Sequence, residues 1–329
     1  METLEGAELC FPELLNTSCR KKVRPHSEAI IISILLFSIS LITVALNVLV
    51  IISISHFRQL HTPTNLLLLS LAVSDLLAGL LLPVEFLFAE ACWLSGDLVC
   101  TLSFFLVFSV VSVSVGNMVL ISIDRYVAIC DPMHYPIKMT QTRVRIYVCL
   151  CWICALFYSS LILKDHLKQP GMFHSCVGEC VVVLNYIAGT VDLVFNFIVP
   201  ITVIVVLYMR VFVVAVSQAR AMRSQTVAVT HQRPGTVTAK KSEMKAARTL
   251  GVVISVFLIC VCPYYCVSLA GGDSLDSASS VIFFTFLSYL NSCLNPVIYA
   301  FFYPWFRKAI KLIVTLQILQ PGSREANIL

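Results

Sequence analysis

GTVDLVFNFIVP, residues 189–200, lies within a run that is almost wholly apolar and continues to about residue 213. A run of that length and character predicts a helix able to cross a hydrocarbon core, which takes about 20 helical residues. One residue breaks the pattern. Asp192 is a carboxylate where an ionised group costs at least a few kcal/mol at a bilayer centre, so it needs a partner.

The 329 residues are 58% hydrophobic and 12% charged, about half the charged share of a soluble domain, and mean hydropathy is +0.89. Apolar segments of spanning length fall near 28–55, 65–89, 98–128, 143–163, 187–213, 246–270 and 279–302. The first is not a cleaved leader: it is long, starts well inside the chain and has no small-residue cleavage site. The expected fold is an all-α integral membrane protein, a seven-transmembrane helix bundle, since each helix satisfies its own backbone hydrogen bonds in lipid. Residues 1–27 read as a tail, 28–303 as the bundle and 304–329 as an amphipathic helix and tail. PWFRKAIKLIVTL, residues 304–316, mixes basic and apolar residues as a helix lying on the inner leaflet does. No Cys follows Cys293, so no palmitoylation is expected there. The longest loop, 214–245, contains Pro234, Gly235 and many polar residues, which predicts a mobile connection.

Most of the 23 Lys and Arg lie on one side, from Arg58 through Lys138, Arg143 and the stretch from Arg210 to Arg248 to Arg324. That side is expected to be cytoplasmic, with the N-terminus extracellular. The run RKKVR before the first helix pulls the other way. The sequon Asn16-Thr17-Ser18 favours the outside reading, because glycosylation needs lumenal exposure. Cys10, Cys19, Cys92, Cys100, Cys176 and Cys180 then fall in the oxidising compartment, with the pairing left open by sequence alone. A net charge of +5 spread over short loops implies no nucleic-acid partner.

The second to seventh expected helices carry motifs in order: Leu71-Ala72-Val73-Ser74-Asp75 in the second, Asp124-Arg125-Tyr126 ending the third, and Trp152 in the fourth. Pro200 and Tyr208 lie in the fifth, Phe257 and Pro263 in the sixth, and Asn295-Pro296-Val297-Ile298-Tyr299 in the seventh. Together they resemble the rhodopsin-like G-protein-coupled receptors. NSCLNPVIYAFFYPWF, residues 291–306, narrows the resemblance to the trace amine-associated receptors. That resemblance implies disulfides Cys100–Cys180 and Cys19–Cys176, the second tethering the tail over the mouth. It also implies an amine ligand, a heterotrimeric G protein and an olfactory signal through cyclic AMP.

In most amine receptors an Asp on the third helix, five turns before the motif arginine, holds the ligand's ammonium. Here that position is Val107. Asp192 stands eight residues before Pro200, about 12 Å up the helix, level with the expected pocket. The resemblance supplies a precedent: some members, mainly from fishes, carry Asp at this fifth-helix position, and a subset of those lacks the third-helix Asp. Asp192 is thus the expected ammonium anchor, with Tyr264, Tyr265 and Tyr289 as aromatic walls, each adding about 0.5–2 kcal/mol by cation–π attraction. Glu85 is a second candidate anchor, suiting a diamine or polyamine rather than a monoamine. The structural alternative is that Asp192 only hydrogen-bonds to neighbouring helices and Glu85 only reaches interfacial water.

The expected switch is an Arg125–Glu243 pair closing the inner ends, opening to admit a G-protein helix while Tyr208 and Tyr299 swing inward beside Asp124 and Tyr126. Asp75, Ser114, Asn291, Ser292 and Asn295 resemble the sodium site of such receptors, hard-oxygen chemistry suited to Na⁺. Val261 departs from the pattern, standing where the class usually has Trp. The expected function is a plasma-membrane amine receptor with no cofactor beyond a possible allosteric Na⁺. The alternatives are a receptor for a neutral odorant with Asp192 structural, and an ion-translocating seven-helix protein using Asp75 and Asp192. No nucleophile–base pair or metal cluster in the loops suggests an enzyme.

Overall fold

The computed structural model describes residues 8–14, 16–20, 26–90, 92–172, 174–226, 251–266 and 278–328. The helices are α1 (His26–His56), α2 (Pro63–Glu90), α3 (Asp97–Cys130) and α4 (Gln141–Ile162). Then comes α5 (186–226), built from Tyr186–Asp192, a π-helical turn Leu193–Ile198 and Val199–Thr226. The described part of α6 is Gly251–Cys266, followed by α7 (Ala278–Phe302) and α8 (Pro304–Val314). Among the described residues, α1 to α5 each hold a window long and apolar enough to cross a membrane. The outward faces of these helices are rich in exposed Leu, Ile, Val and Phe, a pattern lipid tolerates and water does not.

The buried core is larger in the inner half of the bundle. Leu67, Leu71, Met118, Ile121, Phe257 and Tyr299 belong to one cluster that draws on all of α1 to α8. The outer half has a smaller one around Leu36, Ala78, Leu82, Val110 and Tyr289. Space for a ligand is therefore left on the outer side. Gly251 on α6 permits close approach of α5, because a β-carbon there would collide with the Tyr208 hydroxyl.

One segment differs from expectation. Residues 214–226, read above as loop, continue α5 to Thr226. The reason is local: Ala215, Ala219, Ala221, Gln218, Met222 and Arg223 are strong helix formers, and the first breakers are Pro234 and Gly235. The rest of that expected loop lies outside the described residues. The C-terminal tail also holds more structure than expected. After α8 it makes turns at Gln317–Leu319 and Ser323–Glu325 and returns to the α1–α2 connection. There the Ile328 side chain is buried and its N–H donates to Gln59 Oε1 at 3.2 Å.

Three disulfides tie the outer surface. Cys19–Cys176 and Cys100–Cys180 are present with Cα separations of 5.0 and 5.8 Å, and Cys10–Cys92, unassigned above, is a third at 5.4 Å. Backbone bonds from Cys19 N–H to Val177 O (2.9 Å) and from Val177 N–H to Thr17 O (2.7 Å) lay the tail along the second outer loop. Gly178, at φ +100°, makes the turn that admits Cys10 and Phe11 beside it. Asn16 is exposed on this tail. Replacing Cys10 and Cys92 together by Ser is expected to cost about 2–4 kcal/mol, read as a lower apparent Tm of the detergent-solubilised protein. An unchanged Tm, with no Cys10–Cys92 peptide in a non-reducing digest, would count against the third bridge.

Candidate ligand-binding site

The site begins with a gap in the helical ladder. Pro200 has no N–H to offer the carbonyls one turn before it, and the chain answers with a π turn in which Val199 N–H reaches back to Val194 O. A π turn inserts about one extra residue into the helix and turns everything above it relative to everything below. The residue just above is Asp192. Its Oδ1 accepts hydrogen bonds from the Tyr158 hydroxyl of α4 at 2.8 Å and from the Asn196 side-chain amide at 2.8 Å. Neither partner was anticipated from sequence. Asp192 is half-buried, and among the described residues no ion pair engages it.

Asp192 lines a cavity of about 270 Å³ between α3, α5, α6 and α7. Val107, Tyr264, Tyr265 and Tyr289 line it too, so these expected pocket residues meet in one space. Tyr265 stacks on Phe197 with centroids 4.4 Å apart and meets Tyr264 edge-on at 5.1 Å. Tyr264 in turn meets Phe284 at 6.4 Å. The result is an aromatic wall beside a carboxylate, with apolar Val107 opposite. Glu85 belongs to α2, but its side chain lies outside the described residues.

The cavity runs inward past Val261 and Phe257 to Ser114, Asn291 and Ser292. Below it lies Asp75, fully buried. Ser292 Oγ donates to Asp75 Oδ1 at 2.8 Å, and Asn295 Nδ2 donates to Oδ2 at 2.9 Å. Ser114 does not reach Asp75 directly; it donates to Ser74 Oγ at 3.0 Å. Asn291 Oδ1 and Asn295 Oδ1 are buried acceptors with no partner among the described residues. Asn47, not anticipated, ties α1 to this group by donating to Ser292 O at 3.1 Å.

At the inner end, Arg125 donates through Nε to Asp124 Oδ2 at 2.9 Å, and its guanidinium also meets Thr64. Thr64 and the Tyr135 hydroxyl each donate to Asp124 at 2.9 Å. Arg125 is thus held by its own neighbour Asp124 and by Thr64 of α2, while Tyr135 of the α3–α4 turn braces Asp124. Tyr126 packs beside Ile129 and Val211, while Tyr299 is buried and 6.0 Å from Tyr303. Glu243, the expected partner of Arg125, lies outside the described residues.

Comparison with known proteins agrees with this architecture. The 7 transmembrane receptor (rhodopsin family) profile matches residues 46–299. Trace amine-associated receptor 13c of Danio rerio is 36% identical over 334 residues, covering 98% of this chain and 97% of that one. Trace amine-associated receptor 5 of Homo sapiens is 34% identical over 337 residues, covering 99% and 98%, and trace amine-associated receptor 4 of Mus musculus 33% over 332, covering 98% and 95%. With its helices, motifs and near full-length likeness taken together, the chain belongs to the trace amine-associated receptors within the rhodopsin family of seven-transmembrane receptors.

Proposed function

We propose that this receptor detects amines at the plasma membrane, with its N-terminus extracellular and Asp192 as the ammonium anchor. The observation that carries the reading is a half-buried carboxylate on a cavity wall lined by Tyr264 and Tyr265, with no cationic partner among the described residues. Its donors Tyr158, Asn196 and Tyr265 are neutral. They steady the carboxylate without cancelling its charge, which leaves a counter-ion's place for a ligand. An alkylammonium brings three N–H donors and a full charge; removing one partner of such a buried pair costs roughly 3–5 kcal/mol. Val107 offers nothing to an ammonium, so the charge is read from α5 alone.

The names of the relatives support an amine as ligand, and the Asp124–Arg125–Tyr126 end of the bundle supports a heterotrimeric G protein as partner. A stimulatory or olfactory G protein raising cyclic AMP, a chemosensory role and glycosylation at Asn16 complete the proposal. The donor set around Asp75 fits Na⁺: one carboxylate, the Ser114 and Ser292 hydroxyls, and the unpartnered Asn291 and Asn295 oxygens. When bound, the ion would supply a charge that holds α2, α3 and α7 together in the resting state. Release of Arg125 from Asp124, with entry of Tyr208 and Tyr299, is the proposed inner change. A second reading, a neutral odorant with Asp192 structural, is favoured by the hydrogen bonds Asp192 already accepts.

In a cell-based cyclic AMP assay, Asp192→Ala at matched surface expression is expected to raise the amine EC50 by roughly 100-fold or more, with Asp192→Glu recovering part of the loss. Retained potency, or neutral odorants activating while amines stay silent, would hand the site to the second reading. Tyr158→Phe is expected to weaken amines by about 3–10-fold, the range for one hydrogen bond; no change would mean that this bond does not orient the carboxylate. Rising Na⁺ is expected to shift amine potency rightward in the wild type and not in Asp75→Asn; equal shifts in both would remove Asp75 as the ion's ligand.

A further inference from the structure

The inner end of the ligand cavity has its own chemistry. The cavity does not stop at the aromatic wall. It passes Val261 and Phe257 and ends on Ser114, Asn291 and Ser292. A branched three-carbon side chain at position 261 leaves that passage open, whereas an indole there would fill it. At the bottom, Asn291 Oδ1 is a buried acceptor with no partner among the described residues, on a residue only 4% exposed. An unpaired buried acceptor costs about 1–3 kcal/mol, so the site favours a ligand that brings a donor. Ser292 Oγ spends its proton on Asp75 and keeps lone pairs free, and Ser114 Oγ spends its proton on Ser74 and does the same. Three side chains that carry acceptor oxygens, Ser114, Asn291 and Ser292, thus line the end of the cavity. Behind them stands Asp75, whose own donors, Ser292 and Asn295, are both neutral.

We propose that this floor is a second subsite for the far ammonium of an elongated diamine or polyamine, which lies along the cavity with one charged end at Asp192 and the other on Ser114, Asn291 and Ser292 above Asp75. The inference deepens the reading of Asp192 as an ammonium anchor and rests on it. A terminal –NH₃⁺ carries three N–H donors, which side-chain oxygens of the kind these residues carry can accept. The volume of about 270 Å³ is just under the ~300–1,000 Å³ of pockets for drug-sized ligands, which suits a slender chain rather than a bulky ring system. Between the two ends the walls are apolar or aromatic (Val107, Val110, Val111, Phe284) and match a methylene spacer. Because the far ammonium and Na⁺ would use the same oxygens, the two ligands exclude one another.

The experiment is a potency series of α,ω-diaminoalkanes of increasing chain length beside matched n-alkylamines. It is run on the wild type, Val261→Trp, Glu85→Gln and Asp192→Ala. In the wild type, potency of the diamines is expected to rise sharply at one chain length, with no such step among the monoamines. Val261→Trp is expected to remove that step, weakening the favoured diamine by about 10–100-fold, the value of hydrogen bonds to a charged group, while monoamines change little. Glu85→Gln should leave the step in place. In the wild type, which needs no variant to fold, rising Na⁺ should shift the favoured diamine without limit, as a competitor does, and shift monoamines only to a plateau. Diamines with no length optimum, a step that survives Val261→Trp, a step lost in Glu85→Gln, or the same Na⁺ plateau for both series would each overturn the floor subsite. If those results come with loss of every response in Asp192→Ala, the anchor stands and only the subsite fails. Monoamine potency retained in Asp192→Ala would instead overturn the anchor itself.

Discussion

A carboxylate set into an apolar helix must be satisfied by something, and the outer half of this bundle is organised around that demand. Asp192 cannot draw on water freely, and no Lys, Arg or His among the described residues pairs with it. It takes neutral hydrogen bonds instead, from Tyr158 of α4, from Asn196 within α5 and from Tyr265 of α6. Neutral donors stabilise an anion by roughly 1.5–3 kcal/mol each, less than the removal of a charge from water costs. The account closes only when a cation joins. That demand is the physical basis of the proposed ammonium anchor.

The π turn above Pro200 belongs to the same constraint. Proline removes a donor from the ladder, and the extra residue of the π turn rotates the helix above it. Without that rotation the side chain at 192 would leave the cavity wall by roughly the angle of one residue, about 100°. Asn196, on the turn itself, is buried and returns a hydrogen bond to Asp192. Backbone irregularity and side-chain chemistry are thus one device, and the helix spends a regular hydrogen bond to aim its only carboxylate.

Much of this was legible in the sequence, for identifiable reasons. Hydropathy set the ends of α1 to α4 and of α7 to within a few residues because lipid leaves few alternatives to a helix, and the motifs placed Asp75, Asp124 and Asn295 on their own helices. Asp192 stood out because a single charge in an apolar run is rare. What stayed hidden depended on three-dimensional neighbours. Tyr158 is an ordinary tyrosine in an ordinary helix, and only the packing of α4 against α5 makes it a donor. Its signal, one hydroxyl on an apolar span, is shared by many aromatic belt residues. Cys10 could have paired with any outer cysteine. The extension of α5 was masked by distant breakers, though the helix-forming composition of 215–223 was there to be weighed.

Asp192 and Asp75 lie at different depths of the bundle and are satisfied differently. Tyr158 and Asn196 both donate to one oxygen of Asp192, whereas Ser292 and Asn295 donate to different oxygens of Asp75. Between them runs one cavity, unbroken by a large side chain at Val261. In a bundle whose sixth helix carried an indole at that level, a ligand would act on the inner half by pushing on the ring. Here a ligand held at Asp192 in the proposed mode would share a space with Ser114, Asn291 and Ser292, and Ser292 is one of the two donors to Asp75. Only differential affinity for two states shifts their balance. A ligand touching both depths gains that difference at the helices that must move, so the small residue at 261 makes coupling a matter of reach rather than of leverage.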